Sequence, residues 1–168
     1  MSQVRSIALA YDSREDRLFA SVNLGAPDAC AFWLTRRVVM DILVRLPPVL
    51  AQHSPTVRQA AVQHRQDVAE FEREAAVGAA HFTETPNAVL RTVAAEAQLV
   101  ETLAFEVNME GVGVALLGVR GRRVTGIWSR DDVQGLLHLI QQEVLKAGWG
   151  VSAGLEPRGR AGAQPKPN

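Results

Sequence analysis

The chain has 168 residues, of which 47% are hydrophobic and 21% charged, which suits one folded domain and excludes a fibrous or wholly disordered chain. Its 18 Lys and Arg residues balance its 18 Asp and Glu residues, so no overall charge favours nucleic acid or an anionic membrane. The single cysteine, Cys30, cannot form an internal disulfide, and no run approaches the ~20 apolar residues of a membrane-spanning helix. With no recognisable signal peptide, these features predict a cytoplasmic location.

The first 53 residues have the pattern of three strands followed by a helix. Alternating apolar residues flank the turn sequence 12–16, and a third apolar run covers 30–34. Thr35 is the predicted N-cap of an amphipathic helix, since its hydroxyl can accept a free amide of the first turn. The Pro47-Pro48 pair predicts that this helix ends or kinks sharply there.

Residues 98–149 repeat this order of elements. Strict alternation from Leu99 to Met109 predicts a strand, and two hairpin turns follow. Ser129 and Asp132 have the spacing of a capping box, and Gly148 marks the end of the predicted helix. Glu101 is the one polar residue on the apolar side of its strand. An inward carboxylate is costly unless it is paired, so Glu101 is the acidic residue most worth testing for function.

The two units share details at the junction of last strand and helix. Each has a tryptophan shortly before the N-cap and an arginine directly after it, and the apolar positions of the two helices fall at the same distances from the caps. We therefore expect an α+β fold with a mostly antiparallel sheet, in which two pseudo-repeated βββα units (4–53 and 98–149) form a single domain (1–150). Trp33 and Trp128 are the predicted equivalent core anchors. The alternative explanation of the similarity between the two units is that any strand followed by a capped amphipathic helix has this pattern.

A helical insert, 54–97, joins the two units. Ser54 and Pro55 form a strong helix start, and 88–97 is predicted to be helix rather than strand. A heptad-like seam follows Ser54, made of Val57, Ala61, His64, Val68, Phe71 and Ala75. This seam packs either on the chain's own sheet or against a second subunit. The Gly- and Pro-rich tail, 151–168, is predicted to be disordered.

The sequence provides no motif for catalysis, metal binding or cofactor binding. The four histidines, His53, His64, His81 and His138, lack the spacing of metal ligands, and the glycine pairs near 111–121 do not match a phosphate-binding loop. Cys30 lies in an apolar run and is interpreted as a small buried hydrophobe. We therefore predict no catalytic residue, no metal and no cofactor.

Arginines are the remaining candidates for binding. Arg36 and Arg130 place positive charge at helix N-termini, which opposes the helix dipole, so we expect them to bind an anion or a partner's carboxylate. A second set lies on a hairpin and in the tail, and its members are Arg120, Arg122, Arg123, Arg158 and Arg160. Such a set can contact single-stranded nucleic acid, although aromatic residues for base stacking are only 5% of the chain.

The sequence favours a non-enzymatic protein-binding or scaffolding module that forms a homodimer and binds a further protein. The predicted interface residues are Val57, His64, Val68 and Phe71. Two alternatives remain open at this point. The first is a single-stranded nucleic-acid-binding protein that uses the arginine-rich hairpin and tail, and the second is a small enzyme whose site assembles from distant residues.

Overall fold

A computed structural model describes residues 2–80, 94–108 and 111–150 and shows an α+β protein, as predicted. Its strands are β1 (Ser2–Gln3), β2 (Ile7–Asp12), β3 (Arg17–Val22), β4 (Cys30–Leu34), β5 (Gln98–Val107), β6 (Val112–Gly118) and β7 (Arg123–Trp128). The α-helices of the described part are α1 (Arg36–Gln52), α2 (Pro55–Gln59), α3 (Arg65–Ala79) and α4 (Arg130–Lys146), with 3₁₀ turns at Val62–His64 and Ala94–Glu96. The predictions for 81–93, for the Met109 end of β5 and for the tail lie outside the described residues.

The strands form one mixed sheet in the order β1-β7-β6-β5-β4-β3-β2. Strands β2, β3 and β4 form one antiparallel meander, and β5, β6 and β7 form another. The two meanders join through a short parallel pairing, in which Phe32 and Trp33 of β4 lie opposite Gln98 and Leu99 of β5. At the far end, β1 pairs in parallel with β7.

The sheet is curled, because the chain itself connects its two ends. Strands β1 and β2 lie at opposite ends of the order, yet only residues 4–6 separate them. A flat seven-stranded sheet would hold its outer strands about 29 Å apart, whereas the stretch from Gln3 to Ile7 spans at most about 14 Å. The Val4 amide donates to the carbonyl of Thr125 in β7 (2.8 Å), and the Ser6 carbonyl accepts from the amide of Asn23, which directly follows β3 (3.0 Å). The connection therefore contacts both ends of the sheet.

One face of the sheet and the two long helices enclose a core that both halves share. The helices begin as predicted: Thr35 Oγ1 accepts from the Val38 amide (3.4 Å), and Ser129 and Asp132 form a capping box. Their large buried apolar side chains lie at the fourth, seventh, eighth, eleventh and fifteenth positions after each cap. These are Val39, Ile42, Leu43, Leu46 and Leu50 in α1, and Val133, Leu136, Leu137, Ile140 and Val144 in α4.

Of the two outcomes predicted for Pro47-Pro48, an end or a sharp kink, the end is wrong, since α1 continues to Gln52. Two prolines inside a helix remove backbone hydrogen bonds and cost about 3 kcal/mol or more each. Leu46 and Leu50 lie on either side of the pair and are both buried in the shared core. Their burial, one turn apart on the same stripe, offsets this cost.

Glu101 does not point into the core. The pairing of β5 with β6 shifts register between Val100 and Thr102, which is the signature of a β-bulge. Val100 is therefore buried, Glu101 is exposed, and alternation resumes with Leu103 packed on the core. The strict alternation predicted from the sequence missed this extra residue.

The predicted equivalence of the two tryptophans is also wrong. Trp128 directly precedes its N-cap, Ser129, whereas Trp33 is two residues before Thr35. Since successive residues of a strand point to opposite faces, this offset turns the rings to opposite sides of the sheet. Trp128 packs against the shared core, and Trp33 packs on the other face, with ring centroids 4.9 Å from Phe19. Both tryptophans are half-buried.

The insert does not form one continuous helix. Ser54 caps α2 as predicted, accepting from the Val57 amide (3.2 Å), but α2 ends at Gln59. Ala60 and Ala61 are extended, with ψ of 147° and 144°. The heptad-like seam is therefore broken, and Val57 is only 5% exposed, so it is buried in its own chain and is not an interface residue. In the described part of 88–97, Ala94–Glu96 is a 3₁₀ turn.

Candidate protein-interaction surface

Helix α3 packs on α4 and α2 through one side only. Ala76 is its buried residue, and Glu72 on the same side accepts a hydrogen bond from the Ser54 hydroxyl (2.8 Å). Residues three, four and seven apart share one side of a helix, so this packing fixes which side of α3 faces away.

A stripe of residues runs along α3 from the edge of this packed side to its exposed side, and we call it the α3 stripe: His64, which directly precedes α3, then Val68, Phe71 and Ala75. His64 and Ala75 are exposed, Val68 is half-buried, and the Phe71 side chain is 70% exposed. Nearby Val62 is also exposed. Of the four predicted interface residues, His64 and Phe71 are therefore exposed, Val68 is half-buried at the edge of the packed side, and Val57 is buried. The sequence left open whether the seam packs on its own chain or against a second subunit. In the described structure, one side of α3 packs on its own chain and the other side is exposed.

Carboxylates surround the α3 stripe. Asp67, Glu70 and Glu74 are all exposed on the outer half of α3, and Glu70 pairs with Arg73 at 3.2 Å. The helix carries two more acidic than basic residues, counting Asp67, Glu70, Glu72 and Glu74 against Arg65 and Arg73. The surface is thus an apolar stripe with an acidic border.

Arg36 and Arg130 do not form a common anion site. Arg130 donates from Nη1 to the Leu50 carbonyl (2.8 Å), one of the last carbonyls of α1, whereas Arg36 is the first residue of the same helix. Fourteen residues of helix separate Arg36 from Leu50, a rise of about 21 Å. Arg36 lies near Asp16 instead and helps to lower the pKa of that carboxyl. Arg130 therefore has a hydrogen-bond partner within the fold, whereas Arg36 is exposed.

The hairpin arginines are mostly engaged with the chain's own backbone. The Gln98 side-chain oxygen accepts from the Arg120 amide (3.1 Å) and the Arg122 amide (3.4 Å), which holds the β6–β7 turn against the start of β5. Arg120 also donates from Nη2 to the Ala97 carbonyl (3.1 Å), and Arg122 to that of Ala29 (3.4 Å). The Arg123 guanidinium forms no hydrogen bond or ion pair within the described residues.

Cys30 is buried, as predicted, and belongs to the shared core. Burial raises the pKa of its thiol, and the neighbouring Arg122 guanidinium opposes that shift. A buried thiol with a raised pKa is a poor nucleophile, because the thiolate is the reactive form.

A polar cluster that sequence reasoning missed fixes the end of the described chain to the first hairpin. Asp16 Oδ1 accepts from the Trp149 indole (2.8 Å) and the Tyr11 hydroxyl (2.9 Å), and the two rings meet edge to face at 5.8 Å. The hydrogen bonds from Trp149 and then Tyr11 lower the pKa of Asp16, and the bond to Asp16 raises the pKa of Tyr11. We call these three residues the C-terminal latch. Trp149 follows the helix stop at Gly148 and has no periodic partner, so no sequence signal marked it.

Glu143, on α4, was also not singled out. It is largely buried, and its Oε2 accepts from the Tyr11 amide on the outer edge of β2 (2.7 Å), while Lys146 pairs with Oε1. A buried carboxylate on an edge amide satisfies a donor that would otherwise invite another strand.

Within the described residues there is no group of three or more His, Cys, Asp or Glu side chains placed to hold a metal ion. The same part of the chain has no helix long and apolar enough to cross a membrane. Comparison with protein-family models, with curated proteins and with solved structures finds no match to this chain.

Proposed function

We propose that this protein is a non-enzymatic interaction module that associates with its own copy through the α3 stripe. The observation that carries the proposal is the Phe71 side chain, 70% exposed on the outer side of a helix whose inner side already packs on its own chain. Burying a phenylalanine is worth about 1.5–3 kcal/mol. The exposed ring therefore favours a partner surface.

A second copy is the partner that the stripe itself fits best. Phe71 lies near the middle of the stripe, so two helices that meet antiparallel about a two-fold axis bring Phe71 against Phe71. The small Ala75 and the half-buried Val68 on either side allow the helices to approach closely. Two-fold dimers are the commonest oligomers of soluble proteins. The acidic border opposes this contact, so added salt should strengthen it by screening the carboxylates.

Sedimentation velocity over a range of protein concentrations tests the proposal. We expect a monomer–dimer equilibrium that shifts towards the dimer with rising salt and is greatly weakened in Phe71→Asp. Val44→Asp is the matched control, because Val44 is 67% exposed on the outer side of α1 and lies away from the stripe. A single 18.2 kDa species at every concentration, or equal loss in both variants, would overturn the proposal.

The same reasoning supports a degenerate internal repeat of βββα type, spanning 4–53 and 98–149. Its support is the two antiparallel meanders and the identical spacing of the large buried apolar side chains in α1 and α4, not the tryptophans. A further protein partner and a cytoplasmic location remain part of the proposal. The unpaired Cys30 fits a reducing compartment.

Nucleic-acid binding is the less favoured function. Arg120 and Arg122 donate to backbone carbonyls of their own chain, which leaves Arg123 as the free guanidinium of the described hairpin. Titration of a fluorescent single-stranded oligonucleotide at two salt concentrations tests this alternative, since phosphate contacts weaken steeply as salt rises.

A further inference from the structure

The second meander has an outer face, turned away from the shared core, with small residues at its centre and larger ones towards its corners. Its nine positions form three rows across the strands, set by the register. The rows are Thr102–Leu117–Arg123, Ala104–Ala115–Thr125 and Glu106–Gly113–Ile127, each read from β5 through β6 to β7. We call this surface the β5–β7 outer face.

Nothing in the described part of the chain covers this face. Ile127 is 55% exposed, and Ala104, Glu106 and Arg123 are exposed as well. The corresponding face of the first meander is buried: Phe19 is 4% exposed and packs with Ala94 and Ala97, which precede β5. The two meanders thus differ in whether the chain itself covers their outer face.

The charges of the β5–β7 outer face are placed for self-recognition. Arg123 and Glu106 occupy diagonally opposite corners of the three rows. Neither forms an ion pair or hydrogen bond within the described residues. A two-fold axis that runs close to the other two corners, Thr102 and Ile127, brings the positive corner of one copy over the negative corner of the second. The surface is therefore complementary in charge to its own copy.

We propose that this face packs against the same face of a second copy, with the strands crossing at about 90°, one of the two common modes of sheet packing. The two-fold axis passes through Ala115 at about 45° to the strands, close to the diagonal from Thr102 to Ile127. Arg123 of each copy then lies over Glu106 of the other, and Ile127 lies over its own copy.

The remaining positions also match in size under this operation. Leu117 lies over Ala104 of the second copy, and Thr125 lies over Gly113, so each larger side chain meets a small one. Ala115, at the centre, meets Ala115. Small residues at the centre and complementary sizes around it allow the two sheets to approach closely, as close-packed interfaces require.

The size of the face makes this a weak contact. Three strands about 4.8 Å apart and three rows about 6.8 Å apart present roughly 250 Å² per copy, against about 800 Å² per partner in a standard interface. The contact therefore forms at high protein concentration or alongside the α3 contact. Two separate two-fold surfaces on one chain build assemblies larger than a dimer.

Charge reversal tests the proposal, with the association constant measured by sedimentation equilibrium in the Phe71→Asp background, which removes the α3 contact. Glu106→Arg alone places arginine over arginine, and Arg123→Glu alone places glutamate over glutamate, so each should weaken association about tenfold or more. The double variant exchanges the charges at both corners and should restore the original constant. Glu101→Arg is the matched control, an exposed glutamate on the same strand outside the three rows.

The outcomes separate the two proposals. Weakening by both single reversals with recovery in the double variant supports the sheet contact. No association in the Phe71→Asp background, or no recovery in the double variant, overturns it while leaving the α3 contact intact. Loss of association in Phe71→Asp, together with charge reversals that have no effect on association when Phe71 is present, supports the α3 contact alone. Thermal melting of each variant confirms that the fold is retained.

Discussion

The two meanders of the sheet have the same strand order and contribute to the same core, but their outer faces differ. In the first, Phe19 is buried and its ring meets that of the half-buried Trp33 edge to face. In the second, the described residues leave Ala104 and Ile127 on the same side exposed. Alternate residues of a strand face opposite sides of the sheet. The core therefore restricts the residue types on one side of the strand and leaves those on the other side unrestricted. The difference indicates that one outer face serves folding and the other is available for binding.

The largest expected effect comes from truncating one large residue on each outer face. Phe19→Ala should lower the free energy of unfolding by about 3–5 kcal/mol, the usual range for a buried phenylalanine. Ile127→Ala should change it by no more than about 0.5 kcal/mol, because the side chain is mostly solvated. Urea denaturation followed by circular dichroism measures both. Similar losses in the two variants would contradict the contrast between the faces.

The free edges of the sheet provide a second comparison. β7 is partly covered by β1, whereas on β2 the Tyr11 amide is covered by the Glu143 carboxylate. Glu143→Leu leaves that amide unpaired, so we expect a loss of about 1–3 kcal/mol in urea denaturation, with increased aggregation through the exposed edge. Glu143→Gln keeps an acceptor oxygen and should lose less. If Glu143→Gln lowers the free energy of unfolding as much as Glu143→Leu does, the stabilisation comes from the charge of the carboxylate and not from its bond to Tyr11.

The arginines at the starts of α1 and α4 provide a third comparison, because Arg130 bonds to the other long helix and Arg36 is exposed. Arg130→Met removes the hydrogen bond to the Leu50 carbonyl and should cost about 1 kcal/mol. Arg36→Met removes a charge from an exposed position and should change stability by less than about 0.5 kcal/mol. Methionine keeps the apolar stem in both, so thermal melting of the pair isolates the guanidinium. Equal effects would show that the bond to Leu50 contributes nothing.

The smallest expected effect is a pH dependence of the C-terminal latch. The pKa of Asp16 is lower in the folded chain, so its contribution to stability is present above its unfolded pKa of about 3.9 and is lost as pH falls through the folded value. The pKa of Tyr11 is raised, so its contribution is present below about 10 and is lost as pH rises through the folded value.

Trp149 fluorescence should report both limits in a background of Trp33→Phe and Trp128→Phe, where it is the sole tryptophan. We expect a plateau around neutral pH and a change at each end, with the acid-side change absent in Asp16→Asn. An acid-side change that persists in Asp16→Asn would assign it to another carboxylate.

The secondary structure was largely predictable because its causes are local. The caps at Thr35, Ser54 and Ser129 depend on residues within three positions, and the core stripes of α1 and α4 follow from the helical period. The hairpin turns depended in the same way on short runs of turn residues. These features needed no knowledge of distant parts of the chain.

The candidate surface was predicted only in part. The helical period identified His64, Val68 and Phe71 as one stripe, and α3 does turn them outward. Val57 failed because the extended Ala60 and Ala61 break the helix, so the period does not carry across them. The β5–β7 outer face was not identified at all, since a run of small residues shows neither burial nor exposure until the partner strands and the covering segments are known.

The sequence alone was enough to place the starts of α1, α2 and α4 and the buried side of α1 and α4, because a residue's immediate neighbours fix those choices. The tertiary structure decided the rest: that α1 passes through Pro47-Pro48, that Glu101 turns out at a bulge, and that Trp33 and Trp128 face opposite sides. It also decided that Arg130 binds a carbonyl of the other helix and that β1 and β2 join the two ends of the sheet. Each of these depends on groups far apart in the chain, whose contact energies exist only once the chain has folded.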